Sequence, residues 1–174
     1  AVGAAIIDGC AEKSKPVSKV TVTDAMHYDR IVGANDRIRV GVIGFSGRFR
    51  GSLSNAFNAS SEKLNMELVA ISDIWSQRRE QGVAYLTELQ GSSVIGYRNN
   101  EELYEKSETD AVIISTADFQ HAYHATEAVR SGRDVYVEKP LAESMADNLM
   151  VKKAVKETGK ILQIGSQRRS GNNY

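Results

Sequence analysis

Between Ile38 and Gly51 an apolar run, Ile38-Arg39-Val40-Gly41-Val42-Ile43, passes directly into a turn rich in glycine and arginine, Gly44-Phe45-Ser46-Gly47-Arg48-Phe49-Arg50-Gly51. A buried strand that ends in such a turn and opens a helix presents the helix's first N–H groups, and a pyrophosphate rests there well. Aligned on Gly44, the spacing G-x-G-x-x-G puts Ser46 and Phe49 where the second and third glycines would stand. The second glycine lets backbone approach phosphate and the third lets helix pack close to strand. Side chains at both positions therefore weigh against the pattern, and Gly47 and Gly51 fall out of register. Context weighs for it: a strand precedes, a helix follows, and Arg48 and Arg50 can offset phosphate charge. On this reading Gly44, Ser46, Gly47, Arg48 and Phe49 contact a dinucleotide. The plain alternative is a strand-to-helix turn, because glycines mark turns in any α/β unit.

The text downstream alternates. Short apolar runs at Ile38–Ile43, Met66–Ser72, Ala111–Ser115, Asp134–Val137 and Ile161–Ile164 are rich in Val and Ile, as strands buried on both faces are. A weaker run spans Val94–Tyr97. Helical spacing predicts helices over Ser52–Ala59, Gln77–Leu89, Gln120–Ser131 and Ser144–Thr158, with Gly132 and Gly159 as stops for the last two. Asn99 or Asn100 caps a further short helix, with Glu102 set for a capping box. Strands alternating with helices predict βαβ units, hence a Rossmann-type, doubly wound parallel sheet.

The 174 residues suit one domain plus a tail. Lys+Arg and Asp+Glu balance at 22 each, so bulk charge points to no nucleic-acid partner. Residues 11 to 37 are weakly patterned and read as linker, although Val17 to Thr23 could add a strand. The opening, Ala1 to Cys10, looks like the end of a signal peptide's apolar region closing on a lipobox-like Ile-Asp-Gly-Cys. On that reading Cys10 carries a lipid and the protein is exported, periplasmic or membrane-anchored. The alternative is a frayed apolar start and a cytoplasmic protein. We divide the chain into a signal remnant and linker, 1–37, and a dinucleotide-binding domain, 38–174.

Three further segments carry chemistry. Asp73 ends the second apolar run, 24 residues after Phe49. A carboxylate there can accept both ribose hydroxyls of the adenosine half and would repel a 2′-phosphate, favouring NAD over NADP. Arg78 and Arg79 nearby weaken that preference, and Asp73 could equally cap a helix starting near Ser76. In Ser115-Thr116-Ala117-Asp118-Phe119-Gln120-His121-Ala122, which leaves the strand at the sheet's carboxyl edge, Asp118 and His121 can bond ribose or substrate hydroxyls. His124 lies one helical turn on from His121, but a metal site needs three or four ligands and no third is visible, so no metal is expected. In Tyr136-Val137-Glu138-Lys139-Pro140-Leu141, a partly desolvated Lys139 can hydrogen-bond a substrate oxygen whose charge changes as hydride moves. A Lys–Pro bond is one that can be cis. Read alone, that segment is a charged turn.

Together these pieces resemble the Gfo/Idh/MocA oxidoreductases. Val135-Tyr136-Val137-Glu138-Lys139-Pro140-Leu141 is similar to the family's E-K-P signature. Thr116-Ala117-Asp118-Phe119-Gln120-His121-Ala122 is similar to its T-P-D-H-W-H-A segment, keeping Thr116, Asp118, His121 and Ala122. Asn35 to Gly44 resembles its opening strand, and Gly165 to Ser170 the stretch after its sixth strand. The resemblance implies an NAD(P)-binding Rossmann domain followed by an α/β substrate domain that this chain does not contain. It implies Lys139 as the catalytic-site lysine, Glu138, Asp118 and His121 lining the nicotinamide side, Asp73 at the adenosine ribose, and Thr116 as a further cofactor-binding residue. It also implies NAD as cofactor, with NADP possible, and hydride transfer on a sugar, cyclitol or derivative. For the whole protein a homo-oligomer is expected, and for this domain alone no turnover. Alternatives are an NAD-dependent glycosidase on the same scaffold and, because of Ser46 and Phe49, a non-catalytic protein with a degenerate cofactor site.

Overall fold

The structure is a computed structural model that describes residues 37–166. The segment ending at Cys10, the Val17 to Thr23 run and the tail from Gln167 lie outside the described residues. Six strands form one parallel sheet: β1 (Ile38–Ile43), β2 (Met66–Ser72), β3 (Ile95–Tyr97), β4 (Ala111–Ile114), β5 (Asp134–Glu138) and β6 (Leu162–Gly165). Their order is β3-β2-β1-β4-β5-β6, the doubly wound arrangement whose direction of winding reverses between β1 and β4. Parallel neighbours need crossovers, and the intervening helices supply them. These are α1, a π-helical turn Phe49–Leu53 continuing as Ser54–Ser61; α2 (Ser76–Gln90); α3 (Asn100–Lys106); α4 (His121–Arg130), preceded by a 3₁₀ turn Asp118–Gln120; and α5 (Met145–Thr158).

The two faces of the sheet are read directly from strand alternation. Val40 and Val42 of β1 join Phe45, Phe49, Leu53, Phe57, Leu68, Ile71 and Leu86 under α1 and α2. Ile43 joins Val112, Ile114, Val135 and Val137 under α4 and α5, where Ala122, Ala125, Ala128, Val151 and Ala154 pack. Small residues let those two helices lie close to the sheet and to each other.

Register matters most for function. Ile43 pairs with Ser72 on one side and Ile114 on the other, Ser72 with Tyr97, Ile114 with Val137, and Val137 with Ile164. The strand ends are thus flush. Gly44, Asp73, Ser115 and Glu138, each one residue past this row, emerge at the same edge.

Local signals explain the ends of the elements. Asn99 caps α3 by accepting the Glu102 N–H at 2.9 Å, while the Glu102 carboxylate takes the Arg98 N–H at 3.3 Å, one residue before the cap. Ser144 caps α5 by accepting the Asp147 N–H, and Gly159 closes it in the left-handed conformation. The first helix is longer than its sequence spacing predicts, because its head turns at Gly47 and Arg48. Its π-turn, with the Ser54 N–H donating to Phe49 O, coincides with the large side chain at the position a third glycine would hold. A wider turn seats a phenyl ring between helix and sheet where glycine would allow direct contact.

Close approach is found instead at Gly82 of α2. A Cβ there would lie 2.4 Å from Ile71 Cδ1 and 3.1 Å from Phe45 Cγ. Gly82→Val should therefore lower stability by roughly 2–3 kcal/mol through overpacking. Chemical denaturation checks this, with an unchanged midpoint as the contrary result.

Candidate functional site

The first βα corner is built from hydroxyls. Gly44 sits at φ +86°, and a Cβ on it would come 2.8 Å from Thr116 Cγ2, so this position requires glycine for both conformation and space. Ser46 Oγ accepts the Phe49 N–H at 3.1 Å, as a capping serine does, and its own proton goes to Ser115 Oγ at 3.2 Å. Ser115 Oγ donates in turn to Gly44 O at 2.9 Å. The chain of bonds locks the corner and leaves the Gly47 and Arg48 N–H groups at the head of the turn, where a helix has no partner of its own for them. Around Gly47 a Cβ would meet nothing within 4 Å, so a ligand can come close. Phe49, placed by its sequence position at the phosphates, is fully buried in the core against Phe45. Its ring leaves the corner open and its N–H belongs to Ser46, so it offers a dinucleotide nothing.

Asp73 is fixed at the edge by two amides. Oδ2 accepts the Phe45 N–H at 3.0 Å and Oδ1 the Trp75 N–H at 2.9 Å. Each oxygen keeps a lone pair for a ribose hydroxyl. The expected cap of α2 takes this form: Asp73 bonds Trp75, the residue at the cap position, whose own side chain makes no capping bond.

A cleft of about 730 Å³ opens beside these groups, walled by Gly44, Ser46, Gly47, Asp73, Trp75 and Thr116 among others, within the size range of ligand sites. Its far wall carries a polar cluster that sequence spacing did not reveal. Ser72 Oγ donates to Asn100 Oδ1 at 2.6 Å, and Asn100 Nδ2 meets His124 Nδ1 at 2.9 Å. Glu127 bonds Asn100 and His124; its charge and hydrogen bond also hold the Tyr123 phenol above the usual range. Arg78 donates to Phe45 O at 2.8 Å and its guanidinium lies 5.5 Å from the Trp75 ring centre. The available signal was a serine that ends β2 and another that directly follows β4, each buried at the same edge.

A second, smaller cavity of about 160 Å³ is walled by Arg48, Ser115, Thr116, Asp118, His121, Glu138 and Lys139. Arg48, placed by sequence with the phosphates, turns here: Nε donates to Glu138 Oε1 at 2.8 Å. The Glu138 side chain is 4% exposed, and a buried carboxylate draws the nearest cation. Glu138 Oε2 accepts the Lys139 N–H at 3.2 Å, and the Lys139–Pro140 bond is cis. His121 stands in the wall of this cavity. It is buried, with Nδ1 2.7 Å from Pro140 O and Nε2 3.2 Å from Thr116 O. The shorter contact assigns Nδ1–H as donor to Pro140. That bond ties the ring to the loop after β5, while Nε2 lies near the Thr116 carbonyl of the loop after β4. Asp118 and Lys139 are exposed along this cavity, so the partial desolvation expected of Lys139 is not met by the described residues.

The donors fit a dinucleotide. The corner presents amides for the phosphates and Asp73 presents a carboxylate for a ribose. Thr116 Oγ1, on a residue lining both cavities, is a buried hydroxyl without a partner among the described residues. Among those residues no group of three or more His, Cys, Asp or Glu is placed to hold a metal.

The fold and edge therefore define a dinucleotide-binding domain. Residues 38–166 match the Gfo/Idh/MocA oxidoreductase family, NAD-binding Rossmann fold, and the chain belongs to that family. It is 34% identical over 138 residues to an inositol 2-dehydrogenase of Rubrobacter xylanophilus, covering 79% of this chain and 37% of the relative. Among solved structures it resembles the WlbA dehydrogenase of Bordetella pertussis in complex with NADH and UDP-GlcNAcA, with a TM-score of 0.69, 25% identity, and coverage of 79% and 39%. It also resembles KijD10, a 3-ketoreductase of Actinomadura kijaniata in complex with NADP and TDP-benzene, with a TM-score of 0.64, 26% identity, and coverage of 78% and 41%. The chain spans about a third of the length of the curated relatives it matches.

The Arg48–Glu138 pair gives a direct test. Arg48→Met should lower stability by about 1–3 kcal/mol, since it removes the guanidinium from one oxygen of a buried carboxylate. Adding Glu138→Gln should recover part of that loss. A double-mutant cycle in urea should show a coupling of roughly 0.5–3 kcal/mol; purely additive losses would mean that the pair is not formed.

Proposed function

We propose that this chain supplies the cofactor half of an NAD(P)-dependent oxidoreductase whose substrate is a sugar, a cyclitol or a derivative. The observation that carries the reading is the flush edge, which brings an open helix head, a doubly anchored acid and a lysine to one side of one sheet. The pyrophosphate would lie at Gly47 and Arg48, the adenosine ribose at Asp73, and the nicotinamide toward the smaller cavity near Thr116 and Glu138. NAD(P), when bound, supplies the carbon that accepts or returns hydride.

Lys139 would act on the substrate. Its backbone is held on both sides, through its own N–H by Glu138 and through Pro140 O by His121. The ammonium is thereby aimed while its long stem stays adjustable. It would stabilise the substrate oxygen as charge develops there and shuttle its proton. Exposed here, it needs a cover before it can work in a dry site, and the substrate together with the remainder of a longer protein would provide one. For this reason the domain alone should show no turnover. The objection raised by Ser46 and Phe49 loses its force: one builds the corner and the other packs away from it.

Two measurements check this. Calorimetry on the full chain should show a dinucleotide binding at one site, with Asp73→Ala weakening it roughly tenfold or more, from the lost hydroxyl bonds and a loosened corner. In the full-length protein, Lys139→Ala should abolish hydride transfer, followed as NADH absorbance, with cofactor affinity changed less than about threefold. Activity that survives in Lys139→Ala would remove the lysine from the mechanism.

A further inference from the structure

We infer that Arg48 is a positioning residue for Lys139: acting through Glu138, it ties the corner that would hold the pyrophosphate to the turn that carries the lysine, so that an occupied corner steadies the lysine. The inference rests on the cofactor reading above. It starts from the two parts that one residue plays. The Arg48 backbone belongs to the helix head, where its carbonyl accepts the Ser52 hydroxyl at 3.2 Å and its N–H stands beside that of Gly47 at the open end. Its side chain leaves the helix and reaches past β4 to the end of β5, 90 residues on in the chain, with Nε donating to Glu138 Oε1 at 2.8 Å.

Glu138 passes the constraint on, because its second oxygen accepts the Lys139 N–H at 3.2 Å. A carboxylate is planar, so a guanidinium at Oε1 and an amide at Oε2 fix each other's direction. The path is short: Arg48, Glu138 and Lys139 all line the smaller cavity. The Glu138 side chain is 4% exposed and has little room to turn, whereas that of Arg48 is 42% exposed. The looser member of the path is therefore the arginine. One of its donors is spent on Glu138, and the rest of the planar fork is accessible to an anion. A phosphate at the helix head would grip that fork. Held by an anion on each side, the guanidinium loses the freedom of its long stem, and the bond from Glu138 to Lys139 gains a fixed support. Order imposed once by the dinucleotide need not be imposed again when substrate meets the lysine, which couples the two sites without a moving domain.

The first test needs no turnover. Amide hydrogen exchange at Lys139 is followed by heteronuclear NMR on the full chain, with and without NAD or NADP at a concentration that calorimetry shows to be saturating. The dinucleotide should slow that exchange roughly fivefold or more. In Arg48→Met, again at saturation, the slowing should shrink to less than about twofold. Arg48→Lys keeps a cation without the planar fork and should fall between the two; it also serves where circular dichroism shows Arg48→Met unfolded. A dinucleotide that binds while Lys139 exchange stays unmoved, or is slowed equally in all three chains, overturns the inference and leaves the cofactor reading standing. If neither dinucleotide binds the folded, unaltered chain, the cofactor reading falls and the inference with it.

The second test is kinetic. In the full-length protein at saturating cofactor, Arg48→Met should lower kcat about tenfold while substrate KM changes less than about threefold. In a Glu138→Gln background the same change should cost less than about twofold in kcat, because the path is already broken at one oxygen. An arginine that only bound phosphate would leave kcat intact at saturation, and one that only held the fold together would cost the same in both backgrounds; either result overturns the inference.

Discussion

Parallel strands that all stop at the same level place every following residue at one edge, and the rest of this molecule depends on that. Ile43, Ser72, Ile114 and Val137 share a row. Slip one strand by two residues and Gly44, Asp73, Ser115 and Glu138 no longer face one another. A slip by one would turn each β1 side chain to the wrong face, exchanging Val42 with Ile43 between two packed cores. The hydrophobic alternation thus fixes more than stability; it sets the distances over which the edge hydrogen bonds form. The bonds from Asp73 to the β1 turn and from Arg48 to Glu138 cross between units far apart in sequence. They exist only because the strand ends coincide.

The corner shows one physical problem solved by different residues. A glycine-rich turn obtains its close approach by omitting side chains. Here Ser46 keeps a side chain but turns it inward, where it substitutes for missing backbone partners and bonds Ser115. Phe49 keeps a much larger one and seats it in the core, and the helix widens into a π-turn at that point. The surface left toward a ligand is backbone in both cases. What counts for phosphate is the direction of the amides and the space before them, and the residue types at the two positions report on this only indirectly.

Much of the fold was legible because burial on two faces writes itself into strand composition. The runs at Ile38–Ile43 and Met66–Ser72 have the observed limits, and those at 111 and 134 differ by a residue at the carboxyl end. The site was legible where backbone conformation demands a residue type, as at Gly44, or where a charge stands at a strand end, as at Asp73 and Glu138. It was hidden where a polar side chain also serves the protein itself. His121 and Arg48 stand in the wall of the smaller cavity, and burial and the nearest complementary group give one a bond to the Pro140 carbonyl and the other a bond to a carboxylate. Periodicity carries no information on such pairings, which span 90 residues for Arg48 and Glu138. The cluster of Asn100, His124 and Glu127 was hidden for the same reason. Its members come from two helices that only the winding of the sheet brings together.

The double anchoring of Asp73 has an evolutionary reading. A residue that only touched a ligand could be exchanged freely as metabolic demand shifted. This carboxylate also receives two amide protons that would otherwise lack acceptors, so exchanging it disturbs the architecture along with the contact.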